Sequence, residues 1–320
     1  KYHQLTFDFH KERAEVECLR GNCEQSEALL RIALEHAQTD LEKAEIYDLQ
    51  IMGLNLSAKY EEAIQIGRTA LSLLGIHLPE AQDVQPALQS EIAELKELLR
   101  EKQIATLIHE PELTLPEGKI AIQVLDKLIL STFQSHRDIY RLIVAKIVNI
   151  SLKYGQTPEA AYGYAQYGAL LGSMWGYYKA GYEFGMLAVK LSERFNNPAQ
   201  KCKALCALAG DLTSWVRHIK HTQSAANEAY QIGLYAGEFQ FAGLSLMHKV
   251  LNWFYEGANL RQILGNLPKF LNFTQKTHNQ AVTDVIAGGR IVIQNLCGLT
   301  ADKSAFYTDS MDEAQYLASC

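Results

Sequence analysis

The sequence predicts an all-α protein, built as a superhelical array of antiparallel helix pairs (an α-solenoid). Apolar residues recur with helical periodicity along almost the whole 320-residue chain, and only 7 prolines interrupt it. This length exceeds the size at which one compact core stops growing, so two domains or an extended array are both possible. Helices joined by short turns form hairpins, and each hairpin exposes an apolar face that only a neighbour covers. The pattern therefore favours a stack of hairpins.

Short breaks rich in glycine, proline and asparagine divide the chain into its helices. They are LRGN (19–22), SAKY (57–60), GIHLPEAQDVQP (75–86), HEPELTLPEG (109–118), YGQTPE (154–159), FNNPAQ (195–200) and YEGAN (255–259). Between two of these breaks, the apolar residues of EEAIQIGRTALSLLG (61–75) fall on one helical face. The longest alternating pattern typical of a strand, GGRIVI (288–293), covers only six residues.

Two of these hairpins align with each other at a constant offset of 37 residues. Cys23 then matches Tyr60, and Ala33 matches Ala70. This spacing is typical of tetratricopeptide repeats, whose period is about 34 residues and whose small residues lie where paired helices touch. We expect tetratricopeptide-like pairs over residues 1–78 and 158–320. The proline-rich segment 79–157 diverges, and its helices are expected near 87–108, 117–135 and 138–154.

Five glycines recur among aromatic residues in YGALLGSMWGYYKAGYEFG (167–185). Glycine weakens a helix by about 1 kcal/mol relative to alanine, so its recurrence on helices indicates a close approach of another backbone. The alignment places Gly181 where the second helix of a pair crosses the first, and Gly176 in the turn. A membrane span is excluded because Lys179 and Glu183 interrupt the segment, which is also too short.

Composition excludes several classes of partner. The net charge of -6 and the pI near 6.0 provide no general attraction for nucleic acid or for an anionic membrane. The 6 cysteines lack the spacing of a disulfide scaffold, and no run of 18 apolar residues occurs. We therefore expect a reduced, cytoplasmic protein that binds neither nucleic acid nor membrane. The first residue is Lys1 rather than methionine, which indicates an excerpt of a longer chain.

The stretch HRDIYRLIVAKIVN (136–149) is similar to two protein-kinase motifs, but its spacing is wrong. A kinase needs asparagine five residues after the aspartate, and Ile143 occupies that place after Asp138. Lys146 follows the aspartate on the same predicted helix instead of preceding it on a strand. No glycine-rich phosphate loop occurs either. We expect an amphipathic helix here, and no enzymatic activity of the chain.

Cysteine and histidine also occur with a spacing close to that of a zinc site, at Cys202, Cys206, His218 and His221. If QKCKALCALAGDLTSWVRH (200–218) is one helix, Cys206 and His218 lie about 18 Å apart along its axis, too far to share a metal. Trp215, Trp253, Phe254 and Tyr255 could stack on a ligand, but their helical spacing is more typical of a core. The sequence therefore predicts no metal and no cofactor.

Several segments together resemble one known family. They are GNCEQSEALLRIALEHAQTDLEKAEIYDLQI, KYEEAIQIGRTALSLLGIHLPE, KIVNISLKYGQTPEAAYGYAQYGALLG, GYEFGMLAVKLSERFN, WVRHIKHT, GEFQFAG and KTHNQ. From near Leu19 to Cys320 the chain resembles the tetratricopeptide-like region of large bacterial hybrid signalling proteins, which are abundant in cyanobacteria. In that family a serine/threonine kinase and a P-loop ATPase precede this region, and GAF sensor and histidine kinase domains follow it. Gly67 and Gly185 depart from the repeat consensus, which usually has a large residue there.

The resemblance implies a non-catalytic scaffold that mediates protein–protein or interdomain interaction and couples signals, with a peptide or the neighbouring domains as partner. By analogy, the concave groove is formed by first helices. Its candidate residues, at i, i+4, i+7 spacing, are Lys11, Glu15 and Cys18, then Asp48, Met52 and Asn55, then Gln166, Leu170 and Ser173. These side chains could equally be packed or solvated. The alternative function is a ligand sensor that binds a small inducer among Tyr162, Tyr167, Trp175 and Tyr178.

Overall fold

A computed structural model describes residues 2–300 and 302–304 of the chain, with side chains from Leu5 onward. Every regular element in these residues is helical, and their one strand-like contact is a parallel bridge between Glu112 and Gln156. The predicted all-α class is therefore confirmed. No helix among the described residues is long and apolar enough to cross a lipid bilayer. Cys320 and the rest of the chain after Ser304 lie outside the described residues.

Fourteen α-helices are present in the described residues. They are α1 (Tyr2–Leu19), α2 (Cys23–His36), α3 (Asp40–Leu56), α4 (Tyr60–Leu73), α5 (Val84–Leu99), α6 (Pro116–Ser135), α7 (Arg137–Tyr154), α8 (Ala160–Trp175), α9 (Tyr178–Arg194), α10 (Pro198–Ala207), α11 (Thr222–Ala236), α12 (Phe239–Glu256), α13 (Leu260–Lys276) and α14 (Gln280–Leu296). GGRIVI, the longest strand-like pattern, is part of α14.

The helices pack in sequence order, with α5 as the exception. Six consecutive hairpins are α1/α2, α3/α4, α6/α7, α8/α9, α10/α11 and α12/α13, and α14 follows them. Each second helix contacts its own first helix and the first helix of the next pair. First helices also contact one another from each pair to the next. Cys23 and Tyr60, which the repeat alignment matched, each begin a second helix, and Tyr178 in the glycine-rich stretch begins another.

Helix α5 lies outside this order, on α7. Its Glu91 accepts hydrogen bonds from Lys146 Nζ at 2.6 Å and from Asn149 Nδ2 at 2.5 Å. The segment after it crosses to α9, where Arg194 Nη1 donates to the carbonyl oxygens of Ile108 (2.5 Å) and Glu110 (2.8 Å). The helix expected near 87–108 ends already at Leu99, and a short 3-10 helix follows at Ile104–His109. This insertion occupies most of the segment that diverges from the repeat.

One continuous apolar core runs from α3 to α12, with smaller clusters at α1–α3 and α12–α14. Inside the stack, first helices also contact others further along the chain. Lys203 on α10 forms a 2.7 Å ion pair with Asp126 on α6, and both are buried. Gln240 at the start of α12 donates to the Asn55 carbonyl oxygen at the end of α3, across 185 residues (3.1 Å). The inner face of the stack is therefore filled by these contacts.

The recurring glycines lie at close contacts, as expected. A Cβ added at Gly168 of α8 would overlap the Gly181 carbonyl oxygen of α9, and the reverse also holds. A Cβ at Gly185 would lie 2.5 Å from Leu212 Cδ1. Gly176 ends α8 in the left-handed conformation with φ of 73°, which favours glycine. The crossing predicted at Gly181 is confirmed.

Candidate functional site

Four of the predicted groove residues lie on α1 and α3, and two of them contact Lys127 of α6. Asp48 Oδ2 pairs with Lys127 Nζ at 2.5 Å, and Asn55 Nδ2 donates to the Lys127 carbonyl oxygen at 2.9 Å. Asp48 and Asn55 are buried, so they join α3 to α6. Lys11 forms a 2.6 Å ion pair, and Glu15 is half-buried, with its pKa raised mainly by desolvation. Their geometry is that of a packing contact between first helices.

The other two predicted groove residues, Gln166 and Ser173, lie elsewhere, on α8. Gln166 is buried and Ser173 is exposed. The structure therefore does not bring the six predicted residues into one groove. Of the three apolar members, Cys18 and Leu170 are buried, whereas Met52 is half-buried. Together with Leu170, Gln166 and Ser173 line a cleft that the sequence does not reveal.

This cleft, called here the α8–α10 cleft, has a volume of about 700 Å³. It lies at the edge of the stack where first helices end and second helices begin. The walls come from the end of α6, the starts of α7 and α9, the second half of α8 and the segment after α10. The side chains that matter for its chemistry are Phe133, Arg137, Tyr140, Arg141, Gln166, Tyr178, Asp211 and Trp215.

The buried polar part of the cleft is formed by Tyr140 and Gln166. Tyr140 Oη donates to Gln166 Oε1 at 2.8 Å, and burial raises the pKa of the tyrosine. Gln166 is only 6% exposed. Its Nε2 group donates no hydrogen bond to any residue that the structure describes. Although the residue is mostly buried, it lines the cleft, so this donor is available to a ligand.

Aromatic rings and two arginines form the more exposed part of the cleft. Trp215 stacks on Tyr178 with ring centroids 4.8 Å apart and remains 63% exposed. The Arg137 guanidinium lies 3.8 Å from the centroid of the Phe133 ring. It has no carboxylate partner among the described residues. Arg141, one turn later, pairs with Asp138 at 2.7 Å.

An irregular segment supplies Asp211 and Trp215. After α10 the chain forms a π-helix at Leu208–Leu212 and two 3-10 turns, Thr213–Trp215 and Ile219–His221. The expectation of one continuous helix over 200–218 is therefore wrong. Asn252 of α12 fixes the segment, since its Nδ2 donates to the Ala209 carbonyl oxygen and to Thr222 Oγ1, both at 2.9 Å. π-Helical turns occur frequently at functional sites.

Asp211 is open to water in the cleft and yet surrounded by protein on its other sides. Desolvation raises the pKa of its carboxyl group, and His248 of α12 partly offsets this increase. Burial lowers the pKa of His248, whose imidazole lies against Gly210 where a Cβ would overlap it. Within the described residues, Asp211 accepts no hydrogen bond and forms no ion pair. Carboxylates with such shifted pKa values are typical of functional sites.

The residues that are similar to kinase motifs lie in a turn, at a helix start and in an ion pair between helices. His136 lies in the one-residue turn between α6 and α7, and Asp138 is in the first turn of α7. Lys146 pairs with Glu91 on the inserted helix. No group of three metal-ligating side chains occurs in the described part of the chain. Cys206 is buried, and burial raises the pKa of its thiol to about 12.

Of the four aromatic residues proposed for an inducer pocket, only Tyr178 lines the α8–α10 cleft. Tyr162 and Tyr167 are buried in the core, where Tyr162 contacts Phe241 edge-on at 5.2 Å. Trp175 is half-buried against the same core. Trp253 and Phe254 pack against the smaller α12–α14 cluster, whereas Tyr255 is 71% exposed.

Arg137, Arg141 and Asp211 are site residues that were not predicted from the sequence. The two arginines were visible as an i, i+4 pair beside the kinase-like tripeptide. Asp211 gave a weaker signal, the Ala-Gly-Asp break (209–211) in an otherwise apolar helix. Nothing in the sequence indicates that α7 and the segment after α10 meet across α8.

Comparison with known proteins adds a signalling context. The chain is similar to the hybrid signal transduction histidine kinase G of Dictyostelium discoideum, with 19% identity over 317 residues. The match covers 93% of this chain and 9% of that protein's length. No known protein family and no solved structure matches the chain. The fold and this similarity define an all-helical protein with a likeness to a small part of a signalling kinase.

Proposed function

We propose that this chain is a non-catalytic helical scaffold of the tetratricopeptide-like type. It couples neighbouring domains inside a multidomain kinase or ATPase signalling protein of the cytoplasm. The sequential packing of hairpins supports the repeat architecture, and the likeness to part of a hybrid histidine kinase supports the context. Its partners are protein surfaces, and neither nucleic acid nor membrane is among them.

The observation that carries this proposal is an uncovered apolar stripe on each terminal helix. On α1 the stripe contains Leu5 (68% exposed), Phe9 (59%), Val16 (52%) and Leu19 (44%). On α14 it contains Val285 (42%), Val292 (42%) and Leu296 (58%), and Leu299 (55%) follows. Both sets have the spacing of one helical face. Within a stack of hairpins, the next hairpin covers the apolar stripe of an inner helix.

Terminal repeats of a self-contained array normally present a polar outer face. The stripes on α1 and α14 are apolar instead, which suits them to docking. Contiguous exposed apolar surface marks an interaction site. The two stripes lie on the first and last helices of the described residues, and between them lie the α1–α3 cluster, the continuous core from α3 to α12 and the α12–α14 cluster. A partner held at one end is thereby coupled to a partner at the other through a packed interior.

Binding of the flanking segments to the purified chain tests this proposal. The segments that precede and follow it in the full-length gene are each used as bait. We expect Phe9→Glu to abolish capture of the preceding segment, and Leu296→Glu that of the following one. Tyr235→Glu on α11 is the matched control, because Tyr235 is 85% exposed and lies on neither stripe. Equal capture by all three variants would contradict the proposal.

The absence of catalysis is tested separately. We expect the purified chain to hydrolyse no ATP and to transfer no phosphate, because it lacks a phosphate loop and the metal-holding asparagine. Magnesium-dependent turnover that Lys146→Ala abolishes would show that the chain is an enzyme.

A second candidate function, the sensing of a small ligand, is favoured by the α8–α10 cleft. The cleft combines the unpaired amide donor of Gln166 with exposed aromatic rings and an unpaired carboxylate. Sites for small molecules usually combine apolar walls with a few such polar groups.

A further inference from the structure

We propose that the α8–α10 cleft binds a small anionic heterocycle, meaning a planar nitrogen-containing ring that carries a phosphate or carboxylate group. A nucleoside monophosphate has this chemistry. The inference rests on the second candidate function, ligand sensing, and specifies the ligand class. It is independent of the docking stripes on α1 and α14.

The size of the cleft is consistent with such a molecule. Pockets for small ligands enclose about 300–1,000 Å³, and the cleft measures about 700 Å³. Gly168 and Gly172 line it, so the α8 wall carries no side chains at these two positions. The Gly172 position is already close to Tyr178, because an added Cβ would lie 3.0 Å from its ring.

The two arginines provide the site for the oxyanion. Arg137 and Arg141 lie one turn apart at the start of α7, and both line the cleft. Arg137 rests on the Phe133 ring by its guanidinium face, which leaves its N–H groups available in the plane. A guanidinium donates two parallel hydrogen bonds to a phosphate or carboxylate. The carboxylate nearest to them, Asp138, is already paired with Arg141.

Trp215 provides the surface for the ring. Its indole is stacked on Tyr178 on one side and is 63% exposed, so another planar group can stack against it. Stacking of a base on an aromatic side chain contributes about 1–3 kcal/mol. A large exposed aromatic residue that an underlying ring holds in place is already arranged for this contact, so little side-chain entropy is lost on binding.

Gln166 and Asp211 require both a hydrogen-bond acceptor and a donor on the ligand. The Gln166 amide donor and the Asp211 carboxylate have no hydrogen-bonding partner in the described structure. Nitrogen heterocycles such as nucleobases carry ring acceptors and N–H donors together. An anion without a ring would leave both side chains unpaired.

Isothermal titration of the purified chain tests the ligand class. Four kinds of probe are compared at up to about 1 mM, a range that detects weak binding. They are AMP and GMP, the heterocyclic carboxylate orotate, the uncharged nucleoside adenosine, and inorganic phosphate. We expect saturable binding at one site by the nucleotides or by the carboxylate, which distinguishes the two oxyanions. Adenosine and phosphate should bind at least tenfold more weakly.

Matched variants connect the binding to the cleft. Arg137→Gln and Trp215→Ala should each weaken binding at least tenfold without unfolding the chain, because both side chains are largely exposed. Arg100→Gln directly after α5 and Tyr255→Ala on α12 are the controls, because these side chains are also exposed and lie away from the cleft. Unchanged affinity of the controls is part of the expected result.

Three results would overturn the inference. The first is the absence of saturable binding by the nucleotides and the carboxylate, with circular dichroism showing a folded chain. The second is binding that the cleft variants and the controls affect equally. The third is an acidic peptide probe that binds the cleft more tightly than any of the small anions. The docking proposal would survive all three, because its variants lie on α1 and α14.

Discussion

The neighbouring hairpins α8/α9 and α10/α11 of this protein join their two helices in different ways. In α8/α9, two glycines bring the helix backbones into contact, and a two-residue turn with Gly176 in the left-handed conformation joins the helices. In α10/α11, the connection runs from Leu208 to His221 through a π-helix and two 3-10 turns. Both hairpins line the cleft, but only the longer connection of the second contributes irregular backbone to it, with Asp211 and Trp215.

The two hairpins therefore differ in the contacts that hold them together. The α8/α9 hairpin is held by close backbone contact, so its wall of the cleft is fixed. The irregular segment after α10 is held by individual polar contacts, such as those of Asn252 with Ala209 and Thr222. Rigid elements with a specialised connecting segment are the usual arrangement of functional residues. The predictions below test whether the two hairpins are stabilised as differently as this comparison implies.

The largest effect is expected at Lys203, which fixes α10 to α6. Lys203→Met leaves Asp126 buried and uncompensated, and breaking a buried ion pair costs about 3–5 kcal/mol of unfolding free energy. Urea denaturation measures the loss. Lys201→Met is the control, since Lys201 pairs with the more exposed Glu193 and Glu228. We expect Lys201→Met to lower the unfolding free energy by less than about 1 kcal/mol. Equal losses of unfolding free energy in both variants would contradict a stabilising role of the buried Lys203–Asp126 pair.

The next effect concerns the contact between Gly168 and Gly181. Gly181→Ala places a methyl group on the Gly168 carbonyl oxygen, so the helices must separate, at about 1–3 kcal/mol. The same substitution at Gly265 of α13 meets no atom within 4 Å and should stabilise the chain by about 0.5–1 kcal/mol. Thermal melts of the two variants should therefore shift in opposite directions. A Gly181→Ala variant at least as stable as the parent would exclude the close contact.

A smaller and more local effect is expected at Asn252. Asn252→Ala removes two hydrogen bonds and leaves the Ala209 carbonyl without that donor, which costs about 1–2 kcal/mol. Hydrogen exchange should increase mainly at residues 208–221, with α8 and α9 little changed. Asn227→Ala provides the comparison, because Asn227 makes only an exposed bond to Lys249. An equal increase in hydrogen exchange in all helices of the Asn252→Ala variant would show that the irregular segment does not open independently.

The smallest effect depends on pH and concerns Asp211. Because the fold raises its pKa, the folded state disfavours the charged carboxylate. This destabilisation is absent below pH 3.8, the ordinary pKa of the group, and complete above the raised folded-state pKa. Asp211→Asn should therefore stabilise the chain at pH 7, by less than about 1 kcal/mol because the group remains open to water. The difference in melting temperature should vanish near pH 3, and a destabilised variant at pH 7 would contradict the pKa shift.

Much of the helical organisation could be predicted from the sequence because it is local. Glycine and proline mark the turns, and the 37-residue offset correctly matches the first residues of α2 and α4. The path of α5 could not be predicted, since its position depends on ion pairs such as Glu91–Lys146 between distant segments. A proline-rich composition shows only that the repeat is interrupted.

The cleft was harder to predict than the fold. Helical spacing identified Gln166 and Ser173 correctly as neighbours on one face of α8. It could not show that Arg137 and Asp211 lie across from them, because five separate parts of the chain meet there. The π-helix could not be predicted either, since ALCALAGDL (204–212) has ordinary helical periodicity. The extra residue in the turn is shown by the backbone, where Thr213 N–H donates to the Leu208 carbonyl oxygen five residues earlier.

The hydrogen bond from Gln240 to the Asn55 carbonyl restricts how this protein can evolve. In most repeat arrays a pair can be duplicated or deleted, because each unit meets only its neighbours. Here α12 contacts α3, four pairs earlier in the chain. The number of pairs between α3 and α12 therefore determines whether these two helices meet. Gain or loss of one pair between them would change that number and disrupt the contact. Substitutions within the helices are therefore tolerated better than the gain or loss of a helix pair.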